Sequence, residues 1–174
     1  MAQVKVLRTD YRLIHGQVAM SWLNIISPNA ILIANDALVN DEIGKMAVKL
    51  AKPQGMKMAI RTVDEAVELV KNPKTADMQL FTVCKNLRDT VKFIEGIGAE
   101  NVGSVNVGGS QKKKDGKQLW KGMIFDEDDI ECLKRIIELV GNAKVDSRTI
   151  PSDAKVNVDS ILKIYNFIER RTKC

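Results

Sequence analysis

Five short, nearly continuous apolar runs constrain this chain more than any other feature: Gln3–Leu7, Ala30–Ala34, Lys57–Ile60, Met78–Cys84 and Val102–Val107. Runs of this length, rich in Val, Ile and Leu, read as strands buried on both faces of a sheet. Between them the period changes to that of a helix. Ile43, Met46, Ala47, Leu50 and Ala51 repeat at i, i+3, i+4, i+7 and i+8, and so predict one amphipathic helix. Val63, Ala66, Val67 and Val70 predict a second, with Thr62 and Glu65 spaced as a capping box. Pro53 and Gly55 stop the first of these, Asn72-Pro73 the second, and Gly98 a third that opens near Leu87. Asp126 is placed to cap a helix carrying Ile130, Leu133, Ile137 and Val140, closed by Gly141. A final helix aligns Val158, Ile161, Leu162, Tyr165 and Ile168.

Strands alternating with helices over short connections imply right-handed crossovers and a mainly parallel sheet covered on both faces, an α/β fold. The 174 residues, 45% of them hydrophobic, suit one domain spanning 1–174, with no linker or repeat to divide it. Only Gly108–Gly122, rich in glycine and lysine, breaks the alternation; a mobile loop or a hairpin would account for it. Cys84, Cys132 and Cys174 form no CxxC pair. Together with a single histidine they make a poor zinc set, so neither metal nor cofactor is expected, and the cysteines read as two core thiols and a terminal one in a reducing cytosol. The N-terminus has no cleavable signal pattern, and no run of about 18 apolar residues is present to span a membrane. A formal charge of +5 favours anionic partners. Lys112-Lys113-Lys114 reads as a solvated loop, and with aromatics at 5% and no RNA-binding signature, nucleic acid is not expected as a partner.

In open α/β sheets, ligands sit beyond the carboxyl ends of the strands. The first such end is followed by Arg8-Thr-Asp-Tyr-Arg-Leu-Ile-His-Gly-Gln-Val18, and a helix with Val18, Ala19, Trp22, Leu23 and Ile26 on one face begins near Gly16. The loop gathers two arginines, a carboxylate and the only imidazole. That set suits phosphoryl chemistry on histidine. Neutral imidazole is a nucleophile near neutral pH. Arginines offer planar donors to phosphate, a helix start adds unpaired N–H groups, and Asp10 could fix the tautomer of the ring. The same residues also fit a plain reading, in which His15 is a hydrogen-bonded loop histidine and the arginines pair with Asp10. No GxGxxG or GxxxxGK[ST] sequence is present to support a nucleotide-binding module.

The motif from Arg8 to Val18 resembles the active-site signature, R-x-D-x-R-L-I-H-G-Q-V after the first strand, of IIB subunits in the mannose (mannose/fructose/sorbose) family of the phosphoenolpyruvate-dependent sugar phosphotransferase system. Ala34-Asn35-Asp36, Asn106-Val-Gly-Gly109 and Arg148-Thr-Ile-Pro151-Ser-Asp153 extend the likeness. Tyr11 stands where an acidic residue is common, and Ser110 where methionine is frequent. The resemblance implies a three-layer α/β/α sandwich with the first strand central. It also implies a phosphoryl group taken from a histidine of a IIA protein and passed to a sugar carried by membrane IIC and IID subunits. By the same carry-over His15 is the nucleophile, through Nδ1, with Arg12 as phosphate clamp, Asp10 as orienter and Arg8 as supporting charge. Gly16 and Gln17 complete the phosphate-binding loop, while Asn106, Gly108 and Gly109, with Lys85 and Asn86, line the rim. The implied location is the cytoplasm, at the periphery of the permease. Which sugar is carried is not written in this chain.

Overall fold

A computed structural model of the chain describes residues 1–120 and 123–172. Its main sheet has seven strands in the order β3-β2-β4-β1-β5-β8-β9: β1 (Gln3–Thr9), β2 (Ala30–Ala34), β3 (Lys57–Arg61), β4 (Gln79–Cys84), β5 (Val102–Val107), β8 (Val145–Ser147) and β9 (Val156–Asn157). β1 lies at the centre and pairs in parallel with β4 on one side and β5 on the other. Every pairing in this sheet is parallel except β8 with β9. β6 (Lys117–Trp120) and β7 (Met123–Phe125) form a separate antiparallel ribbon. The departing stretch after Gly108 is therefore a loop leading into a hairpin; Gly122 itself and Cys174 lie outside the described residues.

Alternation along the strands sorts side chains into two cores. From β2, Ala30, Leu32 and Ala34 point to one and Ile31 and Ile33 to the other; from β4, Leu80 and Cys84 oppose Phe81 and Val83. The larger core is closed by α4 (Val63–Lys71), α5 (Leu87–Ile97), α6 (Glu127–Val140) and α7 (Val158–Thr172). The smaller is closed by α1 (Gly16–Ile26), α2 (Asp36–Val39) and α3 (Glu42–Ala51). This is the expected α/β/α sandwich. The Thr62–Glu65 capping box forms as read from the sequence, and Asp126 with Asp129 makes a second.

One expectation is reversed. α3 exists, but of its apolar stripe only Ala51 faces in, and the large residues face outward: Ile43 is 84%, Met46 64% and Leu50 81% exposed. The inward line is Gly44, Val48 and Ala51, of which Val48 is buried in the smaller core and Ala51 packs against it. Gly44 explains the choice. A Cβ there would lie 2.8 Å from Leu38 Cδ1 and 2.5 Å from the Asp41 carboxylate that caps the helix. The helix therefore approaches α2 on its small-residue side. Its neighbour β3 is an edge strand with a single partner, β2, so little sheet surface remains there for a bulky stripe to cover.

Candidate active site

β1 ends between two parallel neighbours, and the chain leaves it on one side toward β2, while β4 returns across it to β5. Such a crevice at the carboxyl edge is where an open α/β sheet binds its ligand. The loop from Asp10 to His15 fills it. Asp10 N–H donates to the Cys84 carbonyl of β4 at 3.0 Å, and Tyr11 N–H to the Gly109 carbonyl at 3.1 Å. Leu13 and Ile14 are buried in the smaller core and pin the loop from below. Leu13 has φ +59, a left-handed conformation that costs an L-residue about 1–2 kcal/mol, and its N–H bonds the Asp10 carbonyl at 2.8 Å. Strain of this kind concentrates where a loop has to present a side chain.

His15 is the N-cap of α1, with extended backbone and no side-chain cap bond, so the first-turn N–H groups of that helix have no side-chain acceptor there. Its ring is about a quarter exposed (26%), and Nε2 is the buried nitrogen, without a hydrogen-bond partner. Nε2 faces Asp10 Oδ2 at 3.5 Å, longer than a normal hydrogen bond. Gly16 is required for its φ of +41; a Cβ there would meet no neighbour within 4 Å, so crowding is not what selects glycine. Gln17 is exposed in the first turn of α1.

Asp10 is fully buried and receives three groups besides His15. Arg8 Nη2 donates to Oδ2 at 2.7 Å, and the Arg12 backbone N–H to Oδ1 at 3.1 Å, with the Arg12 Nε at 3.5 Å. Burial pushes this carboxyl up, but the Arg8 charge and these donors outweigh it and hold the carboxyl below its usual range. Burial likewise lowers the Arg8 guanidinium, with Asp10 opposing, and the pair stays ionised. The two arginines differ in freedom. Arg8 is buried and committed to Asp10, to the Asn106 side-chain oxygen and to the Arg148 carbonyl at 3.1 Å. Arg12 is 41% exposed, rests 5.3 Å over the Tyr11 ring, and can swing toward a ligand.

The expected rim is only partly a rim. Asn106 is buried beneath the loop, where it links Arg8 to Asp146. The Gly108 N–H is spent on the Thr9 carbonyl at 2.8 Å, so it is no anion donor. An open cleft adjoins Tyr11, Gly108 and Gly109 and is lined also by Lys85, Asn86, Ser110 and Lys113; His15 is not among its walls. Lys113 is not simply solvated, because it pairs with Asp126 and Asp129 at 2.7 and 2.6 Å. Asn86 caps α5 by accepting from Asp89 N–H at 2.7 Å. Among the described residues, no group of His, Cys, Asp and Glu side chains could hold a metal ion.

Comparison with known proteins decides the family. The family model described as "PTS system sorbose subfamily IIB component" matches residues 4–173. The chain belongs to this family of phosphotransferase-system IIB components. The sorbose-specific EIIB component of Klebsiella pneumoniae is 32% identical over 157 residues, covering 90% of this chain and 93% of that protein. The mannose-specific EIIAB component of Escherichia coli is 29% identical over 171 residues, 98% of this chain but 50% of that protein. Among solved structures, the IIBSor domain of the Klebsiella pneumoniae sorbose permease superposes with a TM-score of 0.84 at 31% identity, over 92% of this chain and 97% of that domain. The manxB structure from Thermoanaerobacter tengcongensis gives 0.83 at 25% identity, over 95% and 99%. In this IIB component the match to the family model takes in the loop just described.

Three residues beside the loop escape a reading of the motif. Trp22 of α1 is buried, with the Arg8 and Arg148 guanidinium carbons 5.4 and 5.2 Å from its ring centroid, and its Nε1–H donates to the Thr149 carbonyl at 2.9 Å. Asp146 and Arg148 come from β8 and the turn after it, and join the site only through the fold. The apolar period of α1 showed Trp22 to be a core residue; no local signal tied it, or Asp146, to Arg8.

Proposed function

We propose that this chain is a phosphoryl carrier, a protein-histidine sugar phosphotransferase whose residues 1–174 act as one IIB domain. His15 accepts a phosphoryl group from the phosphohistidine of a IIA partner and donates it to a sugar in transit through membrane IIC and IID subunits. The observation that carries this reading is the orientation of the ring. Nε2 is buried against the Asp10 carboxylate, so the proton is best held there, and the Nδ1 lone pair is left for attack. In the first transfer the bond from phosphorus to Nδ1 forms as the donor's P–N bond breaks. In the second, a sugar hydroxyl oxygen takes the phosphoryl group as the P–Nδ1 bond breaks; the hydroxyl proton passes to solvent, and the imidazole is released neutral. Neither step needs a metal, because positioning and charge stabilise a loose phosphoryl transition state. The exposed Arg12 supplies mobile positive charge, and the uncapped first turn of α1 supplies N–H donors and the positive end of its dipole.

Among the described residues no helix is long and apolar enough to cross a membrane. In this proposal the carrier works from the cytoplasmic face, associating with the permease peripherally. The test is incubation with phosphoenolpyruvate, the general phosphotransferase proteins and a sorbose- or mannose-family IIA, followed by mass analysis under alkaline conditions. One base-stable phosphate on His15, absent in His15→Ala with the fold retained, is the expected result. An unmodified chain beside a labelled control IIB would refute the reading.

A further inference from the structure

The loop that holds His15 does not stand on its own charges. Starting from the ring, Nε2 faces Asp10 Oδ2 at 3.5 Å, and the same oxygen accepts from Arg8 Nη2 at 2.7 Å. Arg8 Nη1 donates to the Asn106 side-chain oxygen, and Asn106 Nδ2 donates to Asp146 Oδ1 at 2.8 Å. Asp146 is gripped in turn by Arg148, Nε to Oδ1 at 3.1 Å and Nη2 to Oδ2 at 2.8 Å. The chain of groups alternates in charge from the nucleophile to β8, and β1, β5 and β8 lie side by side, so that Arg8, Asn106 and Asp146 are in register across the sheet. Arg148 closes the arrangement a second way. Its carbonyl accepts from Arg8 at 3.1 Å, and its guanidinium and that of Arg8 both stack on Trp22, the residue that anchors the helix headed by His15.

We propose that Asp146 and Arg148 are positioning residues for phosphoryl transfer, fixing Arg8, and through it the Asp10 carboxylate, against Nε2 of His15. This rests on the reading of His15 as the phosphorylated residue. The physical reason lies in how Arg8 is shared. It is buried with two carboxylates within its network, Asp10 directly and Asp146 through Asn106. With Asp146 neutral, the Arg8 charge is balanced by Asp10 alone. The guanidinium is then free to turn toward Asp10 and engage both of its oxygens, so less of that carboxylate is available to the imidazole. A buried amide that bridges a carboxylate and a guanidinium can satisfy both only in one orientation, so Asn106 transmits the position as well as the charge. The hydrogen bonds of Asp146 and Arg148 go to each other, to Asn106, to Arg8 and to the Pro151 carbonyl, not to His15.

The test uses the full chain with Asp146→Asn, which keeps the shape and can still accept from Asn106 but lacks the charge. Ser147→Ala is the control; it removes the adjacent buried contacts to the Val107 carbonyl and the Met123 sulfur without touching the network. Transfer from phosphorylated IIA is measured as kcat and KM, and the ring ¹⁵N and ¹³C signals of His15, the chain's only histidine, are recorded for each variant. The expected result is a fall in kcat of about 10- to 100-fold with KM within about twofold, as for a misplacement remote from the chemistry. The His15 ring signals move in Asp146→Asn, and Asp146→Glu recovers part of the rate. Ser147→Ala leaves the rate and the ring signals as in the parent. If Asp146→Asn folds poorly, Arg148→Lys, which keeps the charge but loses the fork, gives the same pattern in milder form. A kcat within twofold of the parent with superimposable ring signals overturns the proposal. So does an equal loss in Ser147→Ala, or a change confined to KM. Should the parent itself not be phosphorylated on His15, the carrier reading fails separately, and the ring signals of the variants alone decide whether the network reaches His15.

Discussion

Replacing Gly108 with alanine puts a carbon where the molecule has no room for it. The new Cβ would lie 2.5 Å from Arg8 Nη2, 2.6 Å from Arg8 Cζ and 2.6 Å from the Thr9 carbonyl oxygen. Neither neighbour can retreat easily. Thr9 belongs to the central strand, paired on both sides, and its carbonyl already accepts from the Gly108 N–H at 2.8 Å. Arg8 is held by Asp10, Asn106 and the Arg148 carbonyl, so a shift at the guanidinium is paid for in buried hydrogen bonds. Overpacking a well-filled interior costs about 1–3 kcal/mol, and with both obstacles pinned the upper half of that range applies, about 2–3 kcal/mol. In a chain of this length each kcal/mol moves Tm by roughly 2–4 °C, so a fall of roughly 4–12 °C is expected. Gly109→Ala is the internal control, because its Cβ would meet Arg12, Asp10 and Tyr11 atoms at an ordinary 3.4 Å; it should stay within about 0.5 kcal/mol of the parent. Thermal and urea unfolding of both variants, with phosphoryl-transfer rates on the same samples, provide the assay. Transfer should fall in Gly108→Ala, because Arg8 and Asp10 move together. Equal melting temperatures for the two variants would refute the account of Gly108 as a contact glycine.

The reversal of α3 gives a second test. Leu50→Ala and Ile43→Ala should change stability by less than about 0.5 kcal/mol, whereas Val48→Ala should cost about 1.5 kcal/mol or more, from two buried carbons and the cavity they leave; urea unfolding of the three variants reads this directly, and the opposite ranking would mean the stripe packs inward. Acid sensitivity is a third. Asp10 has a folded-state value below its unfolded one, so its contribution is fully present above about pH 3.9 and is lost as pH falls through the lower folded value. Unfolding free energy measured from pH 7 to pH 2.5 should therefore drop less steeply in Asp10→Asn than in the parent. That variant should also be about 3–5 kcal/mol less stable at pH 7, because it leaves Arg8 buried without its counter-charge. Parallel profiles for the two proteins would contradict the buried pair.

Much of the architecture was legible because it is local. The five apolar runs became β1 to β5 with ends shifted by at most two residues, and the caps at Thr62 and Asp126 formed where the spacing placed them. What went unread was short or non-local. β8 and β9 have three and two residues and no pattern of their own; they are strands because β5 offers an edge to the first and the first to the second. α3 was recognised as a helix but given the wrong inner face, since periodicity shows which residues share a side and not which side the fold covers. Gly44, the residue that settled it, lies off the apolar stripe.

At the site the division is the same. The order of residues from Arg8 to Val18 places one arginine at the end of a strand, and a second arginine, a carboxylate and an imidazole on the loop that leads from it to a helix. Their proximity follows from chain connectivity alone. The sequence could not divide the work between the two arginines. Arg8 is buried and committed because β5 and the turn after β8, about 100 and 140 positions further along the chain, deliver Asn106 and the Arg148 carbonyl to it, whereas Arg12 lies three residues past the end of β1 and stays exposed. The two glycines after β5 look alike in sequence, yet only Gly108 is pressed against the Arg8 guanidinium. Which imidazole nitrogen is buried is likewise a tertiary fact, fixed by where Asp10 is held. Covalent neighbours determine what chemistry a segment can offer; packing among distant segments determines which of its groups are free to use it.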